Sequence, residues 1–129
     1  MAETTKIALI QMRCGPEPEK NFSRAIAFIR EAAKKGAKIV CLPELFRSQY
    51  FCQTEDHKNF DLAEEVPGTS TAALGELARE IGTVIIASLF ERRSACVYHN
   101  TAAIIDTDGE LLGKYRKMHV PDDPLYHEK

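Results

Sequence analysis

Long hydrophobic runs are absent from this sequence, and no apolar stretch approaches the roughly 20 residues that span a bilayer. The first residues, 1–6, lack the basic segment and long apolar stretch of a signal peptide, so we expect a cytoplasmic protein. Neither sign of charge dominates, because 17 Lys and Arg accompany 19 Asp and Glu for a net charge of −2. This balance argues against partners such as nucleic acid or a membrane surface.

Metal-ligand spacing is also missing. The four cysteines are irregularly spaced and contain no C-x-x-C pair, and the four histidines show no H-x-x-x-H spacing, so no metal site is predicted. In a reducing compartment we expect free thiols that act mostly as small buried hydrophobes. The cysteines are Cys14, Cys41, Cys52 and Cys96.

The sequence does contain an alternation of apolar runs and amphipathic segments. Runs at 6–12, 37–42 and 84–90 predict buried strands. Between them, apolar residues recur three and four positions apart, which predicts two helices. The two helical stripes are Phe22, Ile26, Ile29 and Ala33, and then Leu74, Leu77, Ala78 and Ile81. Strands that alternate with helices indicate a layered α/β fold.

Turn signals complete this outline. Asp106-Thr107-Asp108-Gly109 predicts a hairpin between segments 100–105 and 111–115. Thr69 or Ser70 is predicted to cap the second helix, and Gly82 to end it. Segment 45–66 is predicted to be a long excursion with little regular structure, and segment 121–124 is predicted to be loop.

Glu44 is the first candidate for chemistry, because it follows a buried strand and Pro43 directly. The carboxyl ends of sheet strands are where α/β folds tend to place functional groups. A partly desolvated carboxylate there has a raised pKa and serves as a base near neutral pH. The alternative interpretation is an ordinary surface carboxylate that caps the next turn.

A basic cluster, 114–119, closes the predicted hairpin and ends in His119. A lysine held in a closed site stabilises an oxyanion or lowers the pKa of a nearby thiol. The alternative is a solvated basic face, with His119 as a hydrogen-bonded structural group. Cys41 lies three residues from Glu44, but within an apolar run, and Cys52 lies in the irregular segment. Neither has a context typical of a nucleophile.

Two segments together resemble the nitrilase superfamily of carbon–nitrogen hydrolases. Cys41-Leu42-Pro43-Glu44-Leu45-Phe46 resembles the segment that carries the family's catalytic glutamate, and 113–121 resembles the segment that carries its lysine. Segments 50–53, 65–68, 87–93 and 119–124 look like the N-carbamoylputrescine amidohydrolase branch. The resemblance covers essentially the whole chain.

The resemblance implies a Glu–Lys–Cys mechanism without metal or organic cofactor, acting on a small-molecule substrate in polyamine biosynthesis. Glu44 matches the general base, Lys117 the lysine, and Glu128 a second glutamate that positions groups in the site. None of the four cysteines matches the family's nucleophile, which lies further along the family's sequence. We therefore expect residues 1–129 to form the N-terminal portion of one domain, inactive on its own.

The same resemblance implies part of a four-layer α-β-β-α sandwich that assembles into homo-oligomers. It leaves alternatives open: a non-catalytic interaction fragment of this fold, or an amidase for another N-carbamoyl amine, N-carbamoyl amino acid or simple amide. For an N-carbamoylputrescine-like substrate, Asp122 and Asp123 are candidates to bind the distant ammonium, because they follow the lysine segment. The alternative is that Asp-Asp-Pro is simply a turn.

Overall fold

The computed structural model describes residues 4–128, with the backbone alone at Asp122 and Asp123. Its helices are Pro18–Lys34 (α1) and Thr69–Ile81 (α2). Its longer strands are Ile7–Leu9 (β1), Ile39–Cys41 (β2), Val84–Ser94 (β3), Val97–Ile105 (β4) and Leu111–Arg116 (β5). Asp122–Asp123 (β6) and Tyr126–His127 (β7) pair as a separate hairpin. Within residues 4–128, no helix is long and apolar enough to cross a membrane.

Strands β1 to β5 form one sheet in sequence order. The first three strands are parallel, as strand–helix–strand connections require, and β3, β4 and β5 are antiparallel. The predicted α/β alternation and the predicted hairpin at 106–109 are therefore confirmed. Gly109 closes this turn with φ +85°, a left-handed backbone conformation that glycine adopts without steric cost.

Both helices cover the same face of the sheet. Side chains alternate along β3, so Ile85, Ala87 and Leu89 are buried beneath the helices while their neighbours point to the other face. The helices contribute fully buried Ile29 and Leu74 to this core. Each such side chain contributes about 1.5–3 kcal/mol through the area removed from water.

The second face of the sheet is open and largely apolar. Its exposed side chains include Leu9, which is 76% exposed, and Ile7, which is 60% exposed. The described residues therefore supply one helical layer and one sheet, half of a four-layer sandwich. Glu44 and Lys117 meet at the edge of this open face, where β2 and β5 end.

Segment 45–66 contains two short 3₁₀ helices, Phe51–Gln53 and His57–Leu62, and one bridge from Glu64 to β3, which fits the predicted excursion with little regular structure. Two other local predictions were wrong. The backbone of predicted loop 121–124 contributes β6. Strand β3 also runs four residues past the predicted limit, because polar side chains on an exposed strand end do not prevent backbone pairing with β4.

The start of α2 differs from the predicted Thr69 or Ser70 cap. Gly68 is the N-cap residue, and the backbone N–H of Gly68 donates a hydrogen bond to the Thr71 hydroxyl at 2.7 Å. The Glu64 carboxylate accepts from the backbone N–H of Ser70 at 3.0 Å. A carboxylate from the segment just before the helix thus satisfies one of its free donors. Gly82 ends α2 in a left-handed conformation, as predicted.

A buried charge cluster joins β3, β4 and β5 under the helices. Glu91 on β3 is 1% exposed and accepts hydrogen bonds from Thr101, Lys114 and Arg116 at 2.6–2.8 Å. Burial alone would raise the pKa of Glu91, but the bonds from Arg116, Lys114 and Thr101 outweigh burial and lower it to about 2. Glu91 is therefore ionised over the neutral range.

We expect Glu91→Gln to lower the free energy of unfolding at pH 7 by about 2–4 kcal/mol, because it leaves two cations with a neutral partner. The pKa of Glu91 is lower in the folded than in the unfolded chain, so its ionised form stabilises the fold above pH about 4.5. That stabilisation is lost as the pH falls toward 2. Urea unfolding of both chains at several pH values measures the difference. A difference that stays constant from pH 7 to pH 3 would contradict the assignment.

Candidate active site

Glu44 is held by an unusual backbone at the end of β2. The next residue, Leu45, has φ +50°, a left-handed conformation that residues other than glycine adopt at a cost of about 1–3 kcal/mol. The backbone N–H of Leu45 donates to the hydroxyl of Ser88 on β3 at 3.0 Å, which ties this turn to the sheet. The turn presents Glu44, whose side chain is 49% exposed, at the open face.

Lys117 follows β5 directly and reaches the same point. Its backbone N–H donates to the carbonyl of Asn100 on β4 at 2.8 Å, which continues the strand pairing by one residue. Because side chains alternate, Lys114 and Arg116 point to Glu91 under the helices, and Lys117 points to the open face. Its ammonium donates to Glu44 Oε1 at 2.9 Å and to Glu128 Oε2 at 2.9 Å.

Glu128 comes from the β6–β7 hairpin and is 8% exposed. Besides the Lys117 ammonium, its carboxylate accepts from the Tyr50 hydroxyl at 3.1 Å and from the Asn100 amide at 2.8 Å. The Tyr50 ring packs against Tyr126 of β7, with 6.1 Å between ring centroids. The hairpin is thus anchored to the segment after β2 through Tyr50.

Asn100 and Ser88 complete the cluster. The Asn100 amide nitrogen donates to Glu44 Oε1 at 2.6 Å as well as to Glu128 Oε1. Its amide oxygen accepts from the Ser88 hydroxyl at 3.2 Å. Two carboxylates therefore share one ammonium and one amide donor.

The electrostatics favour the charged forms of Lys117 and Glu128. Burial alone would lower the pKa of Lys117, but its bonds to Glu128 and Glu44 outweigh burial and raise it. Burial alone would raise the pKa of Glu128, but bonds from Lys117, Asn100 and Tyr50 lower it. Burial and the bond to Glu128 raise the pKa of Tyr50 well above its usual range, so its hydroxyl stays a neutral donor.

The cluster borders a cavity of about 630 Å³. Lys117 and Glu128 lie on its wall together with Cys52. A second part of the wall is aromatic and carries Phe51, Phe60, Phe90 and Tyr98. Acidic Glu55 and Asp56 also line the cavity. The space is of the size that encloses a small organic molecule.

The structure brings Glu44, Lys117 and Glu128 into direct contact, as expected if they share a site. The side chains of Asp122 and Asp123 lie outside what the structure describes, so their contacts are not defined. His119 is exposed and lies outside the cluster. The idea of a solvated basic face is wrong for Lys114 and Arg116, which are bound to Glu91.

The cysteines differ in their surroundings. Cys52 is buried beside the cluster, and burial together with the charge of Glu128 raises its pKa, which favours the unreactive neutral thiol. Cys41 lies on the open sheet face, and Cys96 is exposed in the turn between β3 and β4. Among the side chains that the structure describes, no group of three or more His, Cys, Asp or Glu is arranged to hold a metal ion.

Sequence reasoning missed Tyr50, Ser88 and Asn100. Ser88 interrupts the apolar run 84–90, and Asn100 begins the apolar segment 100–105. A polar residue inside a predicted buried strand needs a partner, so both positions carried a usable signal. Tyr50 lies in a segment without a clear period and carried no comparable signal.

Comparison with known proteins agrees with this geometry. The family model described as carbon-nitrogen hydrolase matches residues 6–129. N-carbamoylputrescine amidase of Solanum lycopersicum is 41% identical over 100% of this chain and 44% of its own length. Omega-amidase NIT2 of Homo sapiens is 43% identical over 91% of this chain and 41% of its own. The chain thus spans less than half the length of these relatives.

A solved structure supports the fold. The crystal structure of a carbon-nitrogen hydrolase from Helicobacter pylori G27 superposes with a TM-score of 0.87. It is 39% identical in sequence, and the match covers 94% of this chain and 42% of that one. The fold is therefore nitrilase-like α/β, as the resemblance implied. This chain belongs to the carbon-nitrogen hydrolase family.

Proposed function

We propose that these residues supply the general base and the lysine of an amidohydrolase that converts N-carbamoylputrescine to putrescine, carbon dioxide and ammonia. The observation that carries this proposal is the contact of the Lys117 ammonium with both Glu44 and Glu128, at 2.9 Å each, on the wall of the large cavity. Four relatives that are 41–44% identical to this chain share the name N-carbamoylputrescine amidase.

In the proposed reaction, Glu44 takes the proton of a cysteine thiol that the remainder of the family's domain supplies. The thiolate attacks the ureido carbon and forms a tetrahedral oxyanion. Glu44 returns the proton to the departing nitrogen, ammonia leaves, and a carbamoyl thioester remains. Glu44 then activates water to hydrolyse the thioester. The released carbamate loses carbon dioxide and gives putrescine.

Lys117 is proposed to stabilise the oxyanion. An ammonium has three N–H donors, and Glu44 and Glu128 occupy two of them. The third donor is available to the oxyanion, together with backbone N–H groups. Because the pKa of Lys117 is raised, the lysine stays protonated and does not compete with Glu44 as the base.

The cavity wall supports a cationic, aliphatic substrate. Its aromatic part, Phe51, Phe60, Phe90 and Tyr98, offers contact area for methylene groups. Among the described residues that line it, Lys117 is the one lysine or arginine, and its charge is offset by Glu44 and Glu128. Glu55, which lies 3.4 Å from His127 Nδ1, and Asp56 add two further carboxylates to the wall, and this excess of acidic side chains over lysine and arginine favours an ammonium over a carboxylate.

A chimera tests the proposed function. Residues 1–129 are joined to the part of the tomato relative that follows its matched segment, and ammonia release is measured with N-carbamoylputrescine. We expect turnover by the chimera and none by residues 1–129 alone, because a base and an oxyanion donor without a nucleophile cannot form the thioester. Turnover by the 129-residue chain that one Cys→Ala change abolishes would contradict the proposed roles. A chimera that folds but releases no ammonia would favour a non-catalytic interaction fragment.

Asp122 and Asp123 are proposed to bind the substrate ammonium, since their backbone forms β6 beside the strand that leads to Glu128. Changing either residue to Asn in the chimera should weaken kcat/KM for N-carbamoylputrescine by about 1–3 kcal/mol. An uncharged N-alkylurea of similar length should be much less affected. Equal losses for both substrates would instead indicate a role in loop shape. Unchanged discrimination in the single and double variants would exclude both residues as determinants of specificity.

The remaining proposals follow from the family resemblance. They are a cytoplasmic location, a role in polyamine biosynthesis and homo-oligomeric assembly. If the chimera prefers another N-carbamoyl compound or a simple amide, the reaction class stands and the substrate is revised.

A further inference from the structure

The two carboxylates and the two donors of the cluster alternate around a ring. Asn100 Nδ2 donates to Glu44 Oε1 at 2.6 Å and to Glu128 Oε1 at 2.8 Å. Lys117 Nζ closes the ring by donating to Glu44 Oε1 and Glu128 Oε2, each at 2.9 Å. Asn100 is thus a neutral counterpart of Lys117, and it touches the same two carboxylates.

The orientation of the Asn100 amide is fixed by its other end. The Ser88 hydroxyl accepts from the backbone N–H of Leu45, so its own proton is directed to Asn100 Oδ1. If the amide were turned over, its oxygen would face two carboxylates and its nitrogen would face the serine. The hydrogen-bond network therefore directs the NH₂ group at Glu44 and Glu128.

The two oxygens of Glu44 have different surroundings. Both donors of the ring converge on Oε1. Within the described part of the chain, the hydrogen bonds made by Glu44 leave Oε2 with its lone pairs available. A carboxylate with one oxygen held by two donors has its plane and its free oxygen fixed in direction, which is the geometry that proton transfer needs.

We propose that Asn100 is a positioning residue for the base: it holds Oε1 of Glu44 and so presents Oε2 as the oxygen that takes the thiol proton. Ser88 secures this arrangement by fixing the amide and the Leu45 turn together. The inference deepens the proposed function and rests on it. It assigns separate tasks to the two oxygens of one carboxylate and gives β3 and β4 a part in orienting the base.

Asn100→Asp in the chimera tests this role, because it keeps the side-chain shape and replaces the NH₂ donor by an acceptor. We expect kcat for N-carbamoylputrescine at neutral pH to fall by roughly 10²–10³, since a misdirected base costs at least 10²-fold, with little change in KM. In this variant three carboxylates surround the Lys117 ammonium, and their mutual repulsion favours protonation of one of them. The protonated carboxyl group is a hydrogen-bond donor and so replaces the lost NH₂ donor. The activity of the variant relative to the parent should therefore rise by about tenfold between pH 8 and pH 5.5.

Two further variants separate positioning from general damage. Ser88→Ala releases the amide without adding charge and should lower kcat by about tenfold, again with little change in KM. Ile29 is buried on α1, away from the ring. The change Ile29→Val should lower the unfolding temperature and leave kcat and its pH dependence unchanged. This variant measures the effect of reduced stability alone on kcat.

The outcomes are distinct. If the parent chimera is inactive, the proposed function fails, and this inference fails with it. If the parent is active and Asn100→Asp retains its kcat, the proposed function stands and the positioning role is wrong. A lower kcat whose ratio to the parent does not change with pH would assign Asn100 a merely structural role and would also overturn the inference.

Discussion

Glu44→Gln in the chimera is expected to lower kcat by roughly 10²–10⁴, the range attributed to a general base. Glutamine keeps the size of the side chain, and its oxygen still accepts from Asn100 and Lys117, but it cannot take a proton. The thiol would then remain largely neutral, and water would not be activated in the second half of the reaction. Steady-state ammonia release at several substrate concentrations separates this loss of kcat from any change in KM.

Glu80→Gln provides a matched control, because Glu80 forms an exposed ion pair with Arg30 on the helical layer. Its stability change should stay within about 0.5 kcal/mol, and its turnover should equal that of the parent. Near-parent turnover of Glu44→Gln across the neutral pH range would show that Glu44 is not the base.

Lys117→Ala should reduce turnover by about 10³ or more. Loss of one oxyanion donor alone costs roughly 10²–10³ in kcat. The substitution also leaves two carboxylates without their shared cation, and the pKa of Glu128, which Lys117 lowers, should rise. Protonation of Glu128 at a higher pH than in the parent would add to the loss, so any residual activity should increase with pH.

Lys35→Ala is the control for removing a lysine, because Lys35 pairs with Glu31 on the exposed side of α1. Circular dichroism and thermal unfolding of both variants report whether the fold is retained. Turnover of Lys117→Ala within tenfold of the parent, with the fold intact, would remove Lys117 from the mechanism.

Local sequence patterns were sufficient for most of the elements, whereas Glu44, Lys117 and Glu128 were named as candidates through the family resemblance. Short apolar runs predicted β1 to β3, the helical spacing of apolar residues predicted both helices, and a turn sequence predicted the β4–β5 hairpin. The runs and the spacing are informative because each element buries one face on a shared core. Glu44 and Lys117 were identified because each lies in a short motif beside a strand end. Such motifs are contiguous in sequence.

The ring around Glu44 is not contiguous in sequence. It joins the ends of β2 and β5, the interior of β3, the middle of β4 and the β6–β7 hairpin, so it depends on strand order and register rather than on local pattern. Glu91 illustrates the same limit, because an isolated glutamate in a charged strand end is usually solvated. Its burial follows from the basic residues that β5 places opposite it.

The alternation of side chains along β5 determines which face of the sheet Lys117 occupies. Arg116 is bound to Glu91 on one face by two bonds of 2.7 and 2.8 Å, and Lys117, one residue later, belongs to the other face. If β5 slipped by one residue against β4, every side chain would exchange faces, and Lys117 would lose both glutamates. Such a slip would also separate the Arg116 guanidinium from its buried carboxylate, which is strongly unfavourable. The charge cluster beneath the helices therefore makes the alignment of β5 that is shifted by one residue unstable relative to the correct one.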